Sequence, residues 1–226
     1  LVTQARNSEI QSDAGLLTLG AANSVAGNTR TLTFDGAGDG LISGTITTTT
    51  GGLIKNGAGT LTLQGSNTYT GASTVNAGTL TLSGANGSST TSAFTVNKGG
   101  TLTLDNGAAN NLNRLGDALA LRLNGGEFKF IGSNVAATNA SETVGALTLP
   151  TNASTITAVA GTGGATRLTF ASANRTAGAM ALFRGDNLGA AAVVVIANID
   201  FTALAAANLV GGNTTMVNKP IVTWAT

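Results

Sequence analysis

A short phrase returns along this chain. It reads VNAGTLTL from Val75, VNKGGTLTL from Val96, LNGGEFKF from Leu123 and, more loosely, IKNGAGTLTL from Ile54. Its first aliphatic falls at positions 54, 75, 96 and 123, and its second at 61, 80, 102 and 128. The intervals cluster near twenty residues but are not equal, so turns must absorb insertions. Relatives of the TLTL half stand at 31–34 (TLTF), 146–149 (ALTL) and 167–170 (RLTF). Each copy is two short strands around an Asn/Gly corner. Leu61 and Leu63 alternate with Thr60 and Thr62, the period of a half-buried strand. Thr, Val and Ile suit a pleated surface, and Gly and Asn are expected to supply positive φ at the corners.

Strands this short cannot stand alone, because each offers only two or three inward side chains. Stacking one coil on the next at roughly 4.8 Å joins those side chains into a continuous interior. The pattern predicts a right-handed parallel β-solenoid of roughly ten coils and about 50 Å in length. A β-sandwich is the rival, but it does not predict a recurring corner. The inward residues expected are Leu61, Leu63, Val75, Leu80, Leu82, Val96, Leu102, Leu104, Leu123 and Phe128.

Composition then narrows what such a rod can do. Charged residues make up 9% of the 226 positions while 42% are hydrophobic, which is not the composition of disorder. A net charge of +1 gives no electrostatic footprint for nucleic acid. The absence of Cys and His removes disulfides, thiolate nucleophiles, imidazole bases and the commonest zinc ligands. A chain without Cys suits export into an oxidising compartment. No apolar run approaches the length of a membrane span; the best, Ala190 to Ala197, is far too short. The opening LVTQARNSEI has no initiator Met and no leader, so the chain reads as a processed product or part of something longer.

The stretch Gly51 to Leu63 (GGLIKNGAGTLTL), followed by Asn67 to Gly71 (NTYTG) and Thr74 to Leu80 (TVNAGTL), resembles the autotransporter-associated β-strand repeat, also called the passenger-associated transport repeat. The later phrases LNGGEFKF, SETVGALTL, NRTAGAMALFRG and IVTWAT look like what surrounds this repeat in very large bacterial surface proteins. The resemblance implies an exported right-handed β-helix at the outer surface of a bacterium.

Candidate chemistry is thin. Solenoid lyases and hydrolases need clustered carboxylates and a base. The acids here are dispersed, although Asp105 and Glu127 are one coil apart and Arg114 and Asp117 lie in a longer loop over residues 106–117. Solvated loop charges are the expectation for these. DGAGDG (Asp35 to Gly40) has the residues of a calcium loop but neither its spacing nor its tandem copies, so a corner turn is expected. GTGG at 161–164 lacks the Lys-Ser/Thr of a phosphate loop. Thr60/Thr62, Thr79/Thr81, Thr101/Thr103 and Thr31/Thr33 could stack outward like an ice-binding face, but Glu127 and Lys129 interrupt the row. Sequons at Asn86, Asn139, Asn152, Asn174 and Asn213 are as frequent as chance makes them in a chain rich in Asn, Ser and Thr. No catalytic residue, metal site or cofactor is assigned.

Residues 1–199 are read as coils. Residues 200–226 are read as a covering segment and a last strand of the same domain. Asp200 stands as a helix N-cap before FTALAAANLVGG, and KPIVTWAT stands as the strand. A solenoid has two ends with unpaired backbone, and the opening alternates like one more strand instead of a charged cap. The expected function is therefore structural and non-catalytic, with self-association end to end into an extracellular fibre. The contacts would involve Leu1, Val2, Ile10, Ile221, Val222 and Trp224. The partner is another copy or neighbouring repeats of a longer chain. An adhesin passenger that binds a surface or glycan is the alternative, and a polysaccharide lyase the more distant one.

Overall fold

The computed structural model describes residues 1–185 and 197–203. Alternating Leu/Thr segments form strands, glycines turn them, and each strand pairs in parallel with the one a coil later. One sheet has nine strands: Ser8–Gln11, Leu32–Asp35, Leu53–Lys55, Ser73–Val75, Ala93–Asn97, Ala120–Asn124, Ala140–Leu149, Thr166–Arg175 and Ala197–Ala203. The second has eight: Leu16–Leu19, Asp39–Ile42, Thr60–Leu63, Gly78–Leu82, Gly100–Asp105, Glu127–Ile131, Ala153–Val159 and Met180–Gly185. A third side is discontinuous, with Val2–Thr3, Asn23–Ala26 and Thr45–Thr47 in one short sheet and Ser66–Asn67 with Ser88–Ser89 in another. This is a parallel β-solenoid. The longer sheet has nine strands over the described residues, against the roughly ten coils read from chain length.

Register explains why like residues recur. Leu61 stacks on Leu80, Leu80 on Leu102, Leu102 on Phe128 and Phe128 on Ile156. A second column runs Leu63, Leu82, Leu104, Phe130 and Ala158. All ten residues expected inside are fully buried. Each buried aliphatic of this kind stabilises by about 1.5–3 kcal/mol. Gly40 occupies the place below Leu61, and a Cβ there would lie 2.2 Å from the Phe34 ring, so the ring fills the space the column gives up. Towards the other end the interior turns aromatic, with Phe128 edge-on to Phe170 at 6.1 Å and Phe170 stacked on Phe201 at 5.4 Å.

Two expectations are corrected. Of the corner asparagines only Asn152 (φ 64°) takes positive φ; Asn56, Asn76, Asn97 and Asn124 do not. Gly78 (φ 63°) and Gly99 (φ 92°) do so, each shortly after the corner Asn. The asparagines are spent otherwise, as described below. Asp200 is no helix cap. It lies inside the strand Ala197–Ala203, opposite Thr169, and its Oδ2 accepts from Arg167 Nε at 2.6 Å. Ile199 and Phe201 on either side of it pack against the core, an alternation that belongs to a strand. The proposed boundary at 199/200 thus falls within a strand. Residues 204–226, with Ile221, Val222 and Trp224, lie outside the described residues.

Candidate functional site

Polar side chains inside the stack mark where this solenoid departs from a plain aliphatic tube. Lys55 takes an inward position between Phe34 and Val75 in the nine-stranded sheet and is fully buried. Its ammonium donates to the carbonyls of Asn56, of Gly57 at 2.9 Å and of Ala77 at 3.4 Å, so one side chain ties two successive corners together. Burial holds its pKa below the ordinary lysine value, against the pull of Asp35 and Asp39.

On the third side, Asn67 is buried and bridges three coils. Its Oδ1 accepts from Ile46 N–H at 3.0 Å, while its Nδ2 donates to Gly65 O at 2.8 Å and Ser88 O at 2.9 Å. Beside it Tyr69 is fully buried, its hydroxyl 2.8 Å from Ser73 Oγ, which reaches Thr91 Oγ1 at 3.3 Å. Burial pushes the phenol's pKa up, so it stays neutral and bonded. These are the residues that gave the opening motif its character: Lys, then Asn-Thr-Tyr.

The passenger-associated-transport-repeat model matches residues 53–82. This segment is similar to a passenger-associated transport repeat. Searches of curated proteins and of solved structures return no match. In structural terms the repeat is one full coil plus the start of the next. Its aliphatics (Leu53, Leu61, Leu63, Val75, Leu80 and Leu82) make the core, Lys55 and Asn67 satisfy corner backbone from within, and Tyr69 bonds the Ser73 hydroxyl. Lys55, Asn67 and Tyr69 face the interior with these aliphatics, while Ile54 is half-buried and Gln64 exposed.

A ladder of corner asparagines begins within the repeat and climbs the stack beyond it. Asn76 Nδ2 donates to Asn56 Oδ1 at 2.8 Å, Asn97 to Asn76 at 2.7 Å, Asn124 to Asn97 at 3.1 Å and Asn152 to Asn124 at 3.2 Å. The recurring Asn after Val or Leu in the sequence phrase is this ladder.

The acids expected as candidates are not brought together. Asp105 stands opposite Ile131 while Glu127 stands opposite Thr101, at opposite ends of one strand pair. Asp117 is exposed. Arg114 is a correction, because it is no solvated loop charge but fully buried, held by Asn106 Oδ1 at 2.6 Å, Gly87 O at 2.7 Å and Ala109 O at 2.9 Å. Sequence reasoning missed its companion. Glu142 is 1% exposed and accepts from the N–H groups of Arg114 at 3.0 Å and Leu115 at 2.8 Å. Asp35 and Asp39 flank a corner turn and accept from the N–H of Gly36 and of Thr60. Among the described residues no three potential metal ligands gather.

Thr60, Thr79 and Thr101 do stack, as do Thr62, Thr81 and Thr103, with Glu127 and Lys129 next in register. Thr33 belongs to the other sheet, between Glu9 and Ile54, and does not extend these rows. The predicted self-association residues at the start of the chain form the first coil. Leu1 is 73% exposed, and Val2 and Ile10 are only half-buried against the core beneath them.

Proposed function

We propose that this chain is a non-catalytic structural segment of a bacterial surface or secreted passenger, and that its coils stack end to end with those of another copy into an extracellular fibre. The passenger-associated transport repeat supports the setting. One observation supports the stacking. Val2–Thr3, Ser8–Gln11 and Leu16–Leu19 are each the terminal strand of their sheet, so among the described residues a whole coil edge stands unpaired. Leu17 and Leu19 share the half-buried state of Val2 and Ile10, and Leu16 is 63% exposed. An apolar, unpaired parallel edge is a template for another coil of the same period. With 21 ionisable Lys, Arg, Asp and Glu side chains of nearly balanced sign, there is little charge to keep copies apart.

The chemistry is consistent with a scaffold. The polar interior is used on backbone carbonyls and amides, and the candidate acids are dispersed. A glycan-binding adhesin would want an exposed aromatic platform, but Tyr69 and all seven Phe side chains are buried or half-buried.

Sedimentation over a concentration series, with native chain and an Ile10→Lys/Leu17→Lys variant, tests the proposal. Native chain is expected to lengthen with concentration and the variant to stay at one subunit. Equal behaviour of the two would reject the first coil as the joining surface. Polysaccharide cleavage by the native chain would reject the non-catalytic reading.

A further inference from the structure

Residues 106–119 run outside the regular coil, between the strands Gly100–Asp105 and Ala120–Asn124. The loop opens on Asn106-Gly107, one of four Asn-Gly steps in the chain, the others standing at 56–57, 86–87 and 124–125. A glycine in this place, having no Cβ, leaves its amide nitrogen free to approach the Cγ of the asparagine before it. The Asn106 side chain is fully buried and held at both ends. Its Oδ1 accepts from Arg114 Nε at 2.6 Å and from Asn111 N–H at 3.3 Å, and its Nδ2 donates to Asn111 O at 3.0 Å. Gly107 N–H, in turn, donates to Asp105 Oδ1 at 2.8 Å. Asp105 lies near enough to act on the charge of Arg114, so an acid and a cation flank one amide. Asp105 and Gly107 are half-buried, which leaves water a way in from their side. The other steps are built differently. Asn56 and Asn124 use Oδ1 in the asparagine ladder, Gly125 N–H donates to Ser154 Oγ at 3.0 Å, and Asn86 is exposed. Among the described residues, only the 106–107 step has a carboxylate on the glycine N–H and a guanidinium on the amide oxygen.

We propose that Asn106-Gly107 is a self-modification site, where the chain loses ammonia and closes a succinimide ring. The Gly107 nitrogen forms a bond to Cγ of Asn106 while Asp105, already within reach of the proton, takes it as general base. Negative charge gathers on Oδ1, where the buried Arg114 guanidinium stands in place to receive it. Asp105 then returns the proton to Nδ2, the Cγ–Nδ2 bond breaks, and ammonia leaves. The step needs no oxidant, reductant or outside reagent. Water afterwards opens the ring at one of its two carbonyls and leaves an aspartate or an isoaspartate at position 106. The aspartate product sets a carboxylate against Arg114 where a neutral amide stood, which makes that hydrogen bond charge-assisted on both sides. Arg114 also holds Gly87 O of the coil below at 2.7 Å, so the change falls on the residue that fastens the loop. It happens once in each chain and involves no turnover.

Peptide mass mapping of the chain as it ages at neutral pH reads all four steps at once. The ring shows as the loss of ammonia and its products as an amide turned to acid. Without assistance the exposed Asn86-Gly87 step should lead and the buried Asn106-Gly107 step should trail. With assistance the order reverses. The 106–107 step should also run about a hundredfold faster in the folded chain than in guanidinium chloride, where base and cation are dispersed. That comparison needs no variant. Asp105→Asn keeps an acceptor for Gly107 N–H but removes the base, and should slow the folded reaction by about the same factor. Three results would each overturn the assignment: a 106–107 step no faster than 86–87 in the folded chain, a rate that rises on unfolding, or an undiminished rate in Asp105→Asn.

Discussion

Asn97 donates its Nδ2–H to Asn76 Oδ1, one coil below, at 2.7 Å, and accepts from Asn124, one coil above, at 3.1 Å. The backbone already pairs these coils, so the side-chain chain fixes which residue stacks on which. A slip of one residue would turn every inward Leu outward. Asn97→Ala cuts the ladder in its middle and is expected to cost about 1 kcal/mol, since both neighbours can turn to water. Asn97→Asp should cost more, because it sets two acceptors face to face at Asn76. Urea unfolding midpoints of the three chains check this order.

Lys55 should behave as a structural cation. Lys55→Met keeps the length of the side chain but leaves the carbonyls of Gly57 and Ala77 without their donor inside the stack. The expected loss is about 2 kcal/mol. An unchanged midpoint in urea would show that water or a shifted corner replaces the ammonium.

The two faces of one strand should respond in opposite ways. Leu80 is fully buried between Leu61 and Leu102, and Leu80→Ala is expected to cost about 2–5 kcal/mol. Leu80→Asp should abolish folding, having no partner for a buried charge. Thr79→Lys, next to it on the outer face, should change stability by about 0.5 kcal/mol or less. Circular dichroism melts of the three variants distinguish an inward from an outward assignment.

Global stability should fall as the pH rises towards 8. Glu142 has a folded pKa raised to about 7 from 4.5, so its contribution is fully present below the unfolded value and is lost as the pH passes the folded one. The loss approaches about 3 kcal/mol. Tm measured at pH 5, 7 and 8.5 should decline in the native chain, and most of that decline should be missing in Glu142→Gln.

The fold was legible because its signal is local and periodic. Alternation of Leu with Thr at a step near twenty residues placed all ten expected core residues, and register then stacked TLTL upon TLTL. What escaped were polar residues doing the work of backbone. Asn at the corner looked like a turn former, since a single sequence does not tell a bent backbone from a side-chain ladder. Glu142 could have been found. It stands two residues before buried Val144, in phase with the inward set of its strand. Arg114 sits in an irregular loop, where no period marks which side chain turns in. Asp200 misled because a good capping residue also stood between two inward apolar residues, and packing decided the matter.

The central claim is that one coil edge seeks another of the same kind. Electron microscopy of the native chain across a concentration series, with fibre diffraction from aligned material, tests it most directly. Unbranched rods longer than a single chain, with a meridional spacing of about 4.8 Å along their axis, are the predicted result. Uniform particles of one 22.1 kDa chain at every concentration would contradict it.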